Sequence, residues 1–308
     1  MHPALSIIVF TTLSGLGYGL AAALGLGFAD ATLPAGRIGY ALALVLIGSG
    51  LISSTFHLGH PERAWRALSQ WRSSWLSREG ILSIVTFLPL GLAALGSVFL
   101  GQFWGIFGLL GAILALATVY STSMIYASLR TIFQWNSGLT SVVFLALAVS
   151  GGLLIAATLS ALFGADSHLA KLAALTALAA AFAAKLLWWK RAGDEAGPST
   201  IETATGLGKY GSVRRLEQPH QTANYLTREM GFRVARRHAE TLRKGVIIFA
   251  FAVPALALLV ALVSSPAIGA VLLVIGLLAH VAGVLVERWL FFAEARHTVM
   301  LYYGDQAS

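Results

Sequence analysis

The sequence predicts an all-α integral membrane protein, a bundle of eight transmembrane helices with a short interfacial helix between helices 2 and 3, and three observations predict it. The 308-residue chain is 57% hydrophobic and only 11% charged, less than half of the roughly 25% charge that a soluble domain spreads over its surface. Its apolar residues fall into eight runs, each close to the ~20 residues needed to cross about 30 Å of hydrocarbon. Its basic residues gather on one side of those runs.

The runs lie near 5–28, 38–58, 80–100, 104–125, 138–163, 167–189, 245–264 and 267–291. Gly101, Gln102 and Phe103 separate the third from the fourth, and Ser264, Ser265 and Pro266 separate the last two, so both pairs read as tight helical hairpins. Glycines such as Gly15, Gly17 and Gly19 in the first run, and Gly105, Gly108 and Gly111 in the fourth, read as close helix–helix packing positions. Ala29-Asp30-Ala31 has the form of a signal-peptidase site, but no basic residue precedes the first run and that run is too long for a cleaved leader. The protein reads as one polytopic domain, 1–308, with a basic loop at 190–244.

Cysteine is absent, which excludes disulfides, zinc–thiolate sites, protein-ligated iron–sulfur clusters and thiol catalysis. A P-loop reading of Gly206-Leu207-Gly208-Lys209 fails, because Thr203 stands at the first glycine position and Tyr210 follows the lysine. His280 lies deep in the last run, but no second histidine sits at its depth, so a bis-histidine haem is not expected. It reads as a hydrogen-bonded bundle residue or as part of a proton path with Glu287. Lys185 reads as a side chain snorkelling to the nearby interface, with an ion pair to Glu287 as the other reading. Few charges fall in mid-membrane, which weakens the alternative of a small-molecule transporter. A purely structural anchor is the other alternative.

The polar residues concentrate in the loop from His57 to Glu79. Pro61 suits the first turn of a helix, and Trp65, Leu68, Trp71 or Arg72, and Trp75 recur at near-helical spacing, as expected of an amphipathic helix in the membrane surface. His57 and Glu79 bracket this loop at the ends of two runs, at similar expected depth. Imidazole titrates near neutrality, and a partly desolvated carboxylate can be raised toward it. Such a pair beside the lipid headgroups suits a quinone headgroup, whose oxidation and reduction move protons as well as electrons. His60, Arg63, Arg78 and Trp75 complete the candidate quinone-binding set. Arg66, Arg233, Arg236 and Arg237 form a candidate docking set for an acidic partner face.

Met1-His2-Pro3-Ala4-Leu5-Ser6, the run Phe10 to Gly15, the His57 to Glu79 loop with its HLGxPxRAxxAL pattern, Thr205 to Gly208, Pro219-His220, Asn224 to Leu226, Glu229 to Phe232 and Glu287 to Glu294 carry a resemblance. Together they resemble the membrane anchor subunits of the dimethyl sulfoxide reductase family, including the anchors of cytoplasmic sulfite:quinone oxidoreductases, and the resemblance touches nearly the whole sequence. The loop is more basic and richer in Trp than in the enteric anchors, which places the likeness nearer the sulfite-oxidising branch. The resemblance implies an eight-helix, haem-free, non-catalytic anchor in a bacterial inner membrane, bound to an iron–sulfur subunit and a molybdopterin catalytic subunit. It also implies exchange of electrons with menaquinone or ubiquinone, with His57 and Glu79 at the positions associated with quinol binding.

Eight spans put both termini on one side with the loops at 59–78, 126–137 and 190–244. That side carries Arg63, Arg66, Arg72, Arg78 and Arg130, eleven basic residues in the long loop, and Arg296, seventeen in all; the other side has Arg37. Basic loops stay in the cytoplasm. A reporter fused after Ser308 is therefore expected to be active only as a cytoplasmic reporter, and activity of a periplasmic one there would contradict the assignment.

Overall fold

The computed structural model describes residues 3–56, 58–193, 199–214, 216–217, 224, 230 and 234–303, with the side chains of 234–237 left outside the description. His57 and Arg233 lie outside the described residues, as do the side chains of Arg236 and Arg237. The helices run α1 (Leu5–Gly25), α2 (Pro34–Thr55), α3 (Trp75–Leu100), α4 (Gly105–Ala127), α5 (Gly138–Leu162), α6 (His168–Gly193), the short α7 (Ile201–Thr205), α8 (Val234–Val246), α9 (Val253–Ala261) and α10 (Pro266–Ala293). A π-helical segment, Ile247–Ala252, joins α8 and α9 into one continuous span. Among the described residues, eight helices are long and apolar enough to cross a membrane, so this is a multi-pass membrane protein.

α1 and α5 form the centre. In each, 78% of the most apolar window is buried, against 44% or less in the other spans. Glycine permits this crossing: a Cβ on Gly19 would collide with the Ala148 carbonyl, and one on Gly152 would strike the Gly19 backbone. The same device brings α1 onto α4 at Gly25 and Gly108, and α10 onto the π segment at Gly283 and Ala250. Lipid supplies no hydrophobic force between helices, so close backbone approach and van der Waals contact hold such pairs. Of the glycines that read as packing positions, Gly15 departs: an added Cβ there meets nothing within 4 Å.

Both expected hairpins form. α3 ends at Gly101, which takes φ +63°, and the Gln102 amide turns back to the Gly96 carbonyl at 2.8 Å. Pro266 occupies the first turn of α10, where its missing N–H leaves nothing unsatisfied. On the side with few charges, Arg37 donates to the Thr32 carbonyl at 3.0 Å and Ser97 donates to the Ala31 carbonyl. There too Lys171 pairs with Asp166 at 2.7 Å and caps the Ala261 carbonyl at 2.9 Å.

Several boundaries differ from the hydropathy runs. α3 begins at Trp75, with Ser74 capping it through the Ser77 amide at 3.4 Å, so Trp75 belongs to a spanning helix and Glu79 lies a turn inside it. The loop before it contains a 3₁₀ helix, Pro61–Gln70, with exposed side chains. α6 continues to Gly193, and the helix that carries the seventh span starts at Val234 rather than near 245. Charged residues end an apolar run, but they do not end a helix that emerges from lipid into water.

Two glycine substitutions separate the packing account from general helix propensity. Gly19→Val is expected to prevent the α1–α5 approach, because backbone on the facing helix cannot give way, and to lower the unfolding temperature in detergent markedly. Gly48→Ala, where an added Cβ meets nothing within 4 Å, should be neutral or slightly stabilising by up to ~1 kcal/mol. Equal thermal stability of the two variants would contradict the packing account.

Candidate functional site

Helix α3 carries Glu79, Ser83 and Thr86 at helical spacing, and this stripe turns into the bundle. Glu79 is 5% exposed. Its Oε1 lies 2.5 Å from the Thr122 hydroxyl on α4, and that hydroxyl also lies 3.1 Å from the Thr118 carbonyl. A hydroxyl has one proton and two lone pairs. Thr122 can therefore donate to an ionised Glu79, or accept from a protonated one while donating to Thr118. Deeper along the same faces, the hydroxyls of Thr86 and Thr118 lie 3.1 Å apart, with Tyr18 and Ser83 beside them.

A second buried polar group sits between α6 and α10. Lys185 Nζ lies 2.5 Å from Glu287 Oε1, and Arg288 Nε lies 2.5 Å from Glu287 Oε2. Lys185 and Glu287 are fully enclosed and Arg288 is 2% exposed. The snorkelling expectation for Lys185 is therefore corrected. The added length of α6 places it inside the bundle, and the Glu287 carboxylate compensates its charge. Aromatic faces supply the rest of the cationic environment: Lys185 Nζ lies 4.0 Å from the Trp188 ring centroid, and the Arg288 guanidinium 4.0 Å from that of Phe144. His280 bonds the Ala250 carbonyl of the π segment through Nδ1 at 2.7 Å, as expected of a hydrogen-bonded bundle residue.

Between these groups lies a small cavity of about 20 Å³, lined on its polar side by Thr11, Thr12, Ser14, Thr122 and Arg288. At the basic end of the bundle the α4–α5 loop forms a cap, where the Trp135 indole N–H donates to the Phe291 carbonyl at 2.9 Å and the ring stacks on Phe291. Arg191 ties this loop down through the carbonyls of Phe133 and Asn136, at 3.0 and 2.8 Å. The C-terminal segment joins the cap, with the Thr298 amide on the Thr131 carbonyl at 3.0 Å and the Tyr302 hydroxyl on the Ala204 carbonyl at 2.8 Å. Beside it, Glu202 accepts the Val213 amide, which holds its carboxyl below the ordinary carboxylate range.

The structure brings only part of the candidate set together. Glu79 is buried at the base of the loop, and Trp75, one turn before it, packs edge-on against Tyr120. Arg78 donates to the carbonyls of Trp71 and Arg72 at 3.0 and 2.8 Å and covers Trp75, so it clamps the loop onto α3. The Ser77 hydroxyl does the same through the Ala67 carbonyl. His60 and Arg63 lie on the surface around Glu62, and Arg66 lies over Trp65. Trp65 and Trp71 are exposed, whereas Trp75 packs at this end of α3. Thr122 and the threonines of the cavity were not singled out in the sequence. The signal was the recurrence of hydroxyls at Thr118 and Thr122, four residues apart, in an otherwise apolar run.

A polytopic bundle with a buried carboxylate at its basic end, and no group of three or more His, Asp and Glu able to hold a metal among the described residues, defines a membrane subunit built around buried polar side chains. The protein belongs to the DMSO reductase anchor subunit (DmsC) family, whose pattern it matches over residues 1–303. It is 36% identical to a sulfite dehydrogenase subunit of Allochromatium vinosum, and the match covers the full length of both proteins. It is also 35% identical to an anaerobic dimethyl sulfoxide reductase subunit of Haemophilus influenzae, over 36% of this sequence and 40% of that one. To the YnfH polypeptide of an Escherichia coli anaerobic dimethyl sulfoxide reductase it is 32% identical, over 50% and 57% of the two sequences.

The Lys185–Glu287–Arg288 cluster generates a stability prediction. Removing one partner of a buried ion pair leaves an uncompensated charge and costs about 3–5 kcal/mol. Glu287→Ala, which leaves two cations facing each other, should therefore lower the unfolding temperature of the purified protein far more than Glu62→Ala on the surface; comparable temperatures would show that the cluster does not hold α6 to α10.

Proposed function

We propose that the protein is the quinone-binding membrane anchor of a molybdopterin oxidoreductase complex, passing electrons between the quinone pool and a partner iron–sulfur subunit. The full-length likeness to a sulfite dehydrogenase subunit favours a sulfite-oxidising complex over one that reduces S-oxides. The observation that carries the reading is Glu79, a carboxyl buried at the basic end of the bundle with a hydroxyl partner suited to either of its protonation states.

A quinone, when bound, supplies two-electron chemistry coupled to two protons, and the residues of this protein answer the proton side of it. Glu79 exchanges a proton with one ring oxygen, and Thr122 keeps the carboxyl hydrogen-bonded before and after the exchange. His57, which follows α2 in the sequence, supplies the second hydrogen-bond partner. Trp75 limits water at the mouth, Arg78 holds the loop in place, and His60 and Arg63 line the approach from the surface. The 3₁₀ segment Pro61–Gln70 lies in the headgroup region, which gives Trp65 and the adjoining Trp71 an apolar surface.

The quinone exchanges electrons with a soluble partner rather than with a redox centre of this protein. Arg66, Arg233, Arg236 and Arg237 present positive charge to an acidic face of the iron–sulfur subunit, which in turn holds the molybdopterin catalytic subunit. The basic side, with both termini, faces the cytoplasm of a bacterial inner membrane, so the partners dock there. In isolation the protein is expected to show no turnover of a soluble substrate.

Losing one hydrogen bond to a bound polar group costs about 1–3 kcal/mol, roughly a tenfold to hundredfold loss of affinity. His57→Ala and Glu79→Gln are each expected to cause a loss of this size in electron exchange with a quinone analogue, while the assembled complex still works with an artificial soluble carrier that bypasses the membrane. Parent-level quinone turnover in both variants would place the site elsewhere. Docking has its own test: charge reversal at Arg66, Arg233, Arg236 and Arg237 should release the soluble subunits from membranes while the anchor stays inserted, and full retention would reduce these residues to topological signals.

A further inference from the structure

The cavity between α1, α4, α5 and α10 has features that packing does not explain. It lies inside the bundle, yet five of its lining side chains are polar: Thr11, Thr12, Ser14, Thr122 and Arg288. Two of their atoms, Thr12 Oγ1 and Arg288 Nη2, are fully buried and have no hydrogen-bond partner. Most threonines in these helices bond the carbonyl one turn back, as Thr11, Thr118 and Thr158 do at 2.9, 2.8 and 2.7 Å. An unsatisfied buried donor is costly, so two of them lining one cavity point to a ligand that accepts and donates. The space admits about one water-sized molecule and not a ring system.

Charge points the same way. Lys185, Glu287 and Arg288 together carry one surplus positive charge. Glu79 is the other buried acid at this end of the described structure, and its partner Thr122 lines the same cavity as Arg288. An ionised Glu79 makes the buried set neutral, with two acids and two bases. Tyr126, one turn beyond Thr122 on α4, packs on Phe144 and Phe291, the two rings that the Arg288 guanidinium covers.

We infer that this cavity holds an ordered water that joins Glu79, through Thr122, to the Lys185–Glu287–Arg288 cluster, and that Arg288 is a positioning residue whose charge keeps the Glu79 carboxylate in place. The hydrated link stands on the cavity alone. Its effect on turnover rests on the quinone reading.

A map of the assembled complex at a resolution that shows waters tests the link directly: density within hydrogen-bond distance of Thr12, Thr122 and Arg288 is expected, and an empty cavity overturns it. The functional arm compares Thr12→Val, Arg288→Gln and Arg288→Lys in the assembled complex, with soluble-carrier activity as the gauge of folding and assembly. Thr12→Val removes a hydroxyl that in a dry cavity bonds to nothing, so a dry cavity predicts no loss, or a gain in stability. The hydrated link predicts that Thr12→Val and Arg288→Gln lower quinone-linked kcat about tenfold, equivalent to one hydrogen bond, with KM unchanged, and that Arg288→Lys restores most of it. If Glu79→Gln lowers quinone turnover while Thr12→Val and Arg288→Gln keep the parent kcat, the coupling is overturned and the quinone reading survives. If His57→Ala and Glu79→Gln both keep the parent turnover, the quinone reading fails, and the water density alone decides the link.

Discussion

Glu287 sits between Lys185 and Arg288 with no exposure to solvent, and the rest of the basic end of the bundle is arranged around that constraint. Charges inside a membrane protein are retained only where they are paired or hydrated. This pairing fixes the register of α6 against α10 and sets the depth of Arg288, whose side chain lines the cavity. The aromatic groups of Trp188, Phe144, Phe291 and Trp135 then close over the cluster. The tight glycine crossings at Gly19 and Gly152 bring α1 to the centre, which is how Thr11, Thr12 and Ser14 reach the same interior.

Seen from that interior, Glu79 is the movable partner of a fixed set. Glu287 is held on both oxygens by cations, whereas Glu79 has a single hydroxyl contact with a residue that can reverse its role. A carboxyl held in this way can gain or lose a proton without leaving a buried group unpaired. The arrangement separates two tasks, structural charge in α6 and α10 and exchangeable charge in α3. The clamp formed by Arg78 and Ser77 keeps the loop seated where α3 leaves the surface.

Much of the fold was legible in the sequence because crossing a membrane leaves a one-dimensional record: eight apolar runs, two hairpin breaks and a one-sided distribution of Arg and Lys. What hydropathy could not give was depth. Lys185 lies four residues before the end of the sixth apolar run, but α6 continues to Gly193, and that extra length converts a surface residue into a buried one. Glu79 likewise stands just before a run that begins at 80, whereas α3 begins at Trp75. The site was legible to the extent that a titratable residue marks a helix end. Its partners were not, because Thr122, Thr12 and Arg288 lie on other helices and meet Glu79's surroundings only through the packing of α1, α4 and α10.

The most direct measurement is photolabelling of the assembled complex with an azidoquinone, followed by identification of the labelled peptides. The account predicts label at the basic ends of α3 and α4, around Trp75 to Gly80 and Tyr120 to Tyr126, reduced by excess quinone and by Glu79→Gln. Label confined to the opposite end of the bundle, near Arg37 and Gly101, or to the soluble subunits alone, would contradict it.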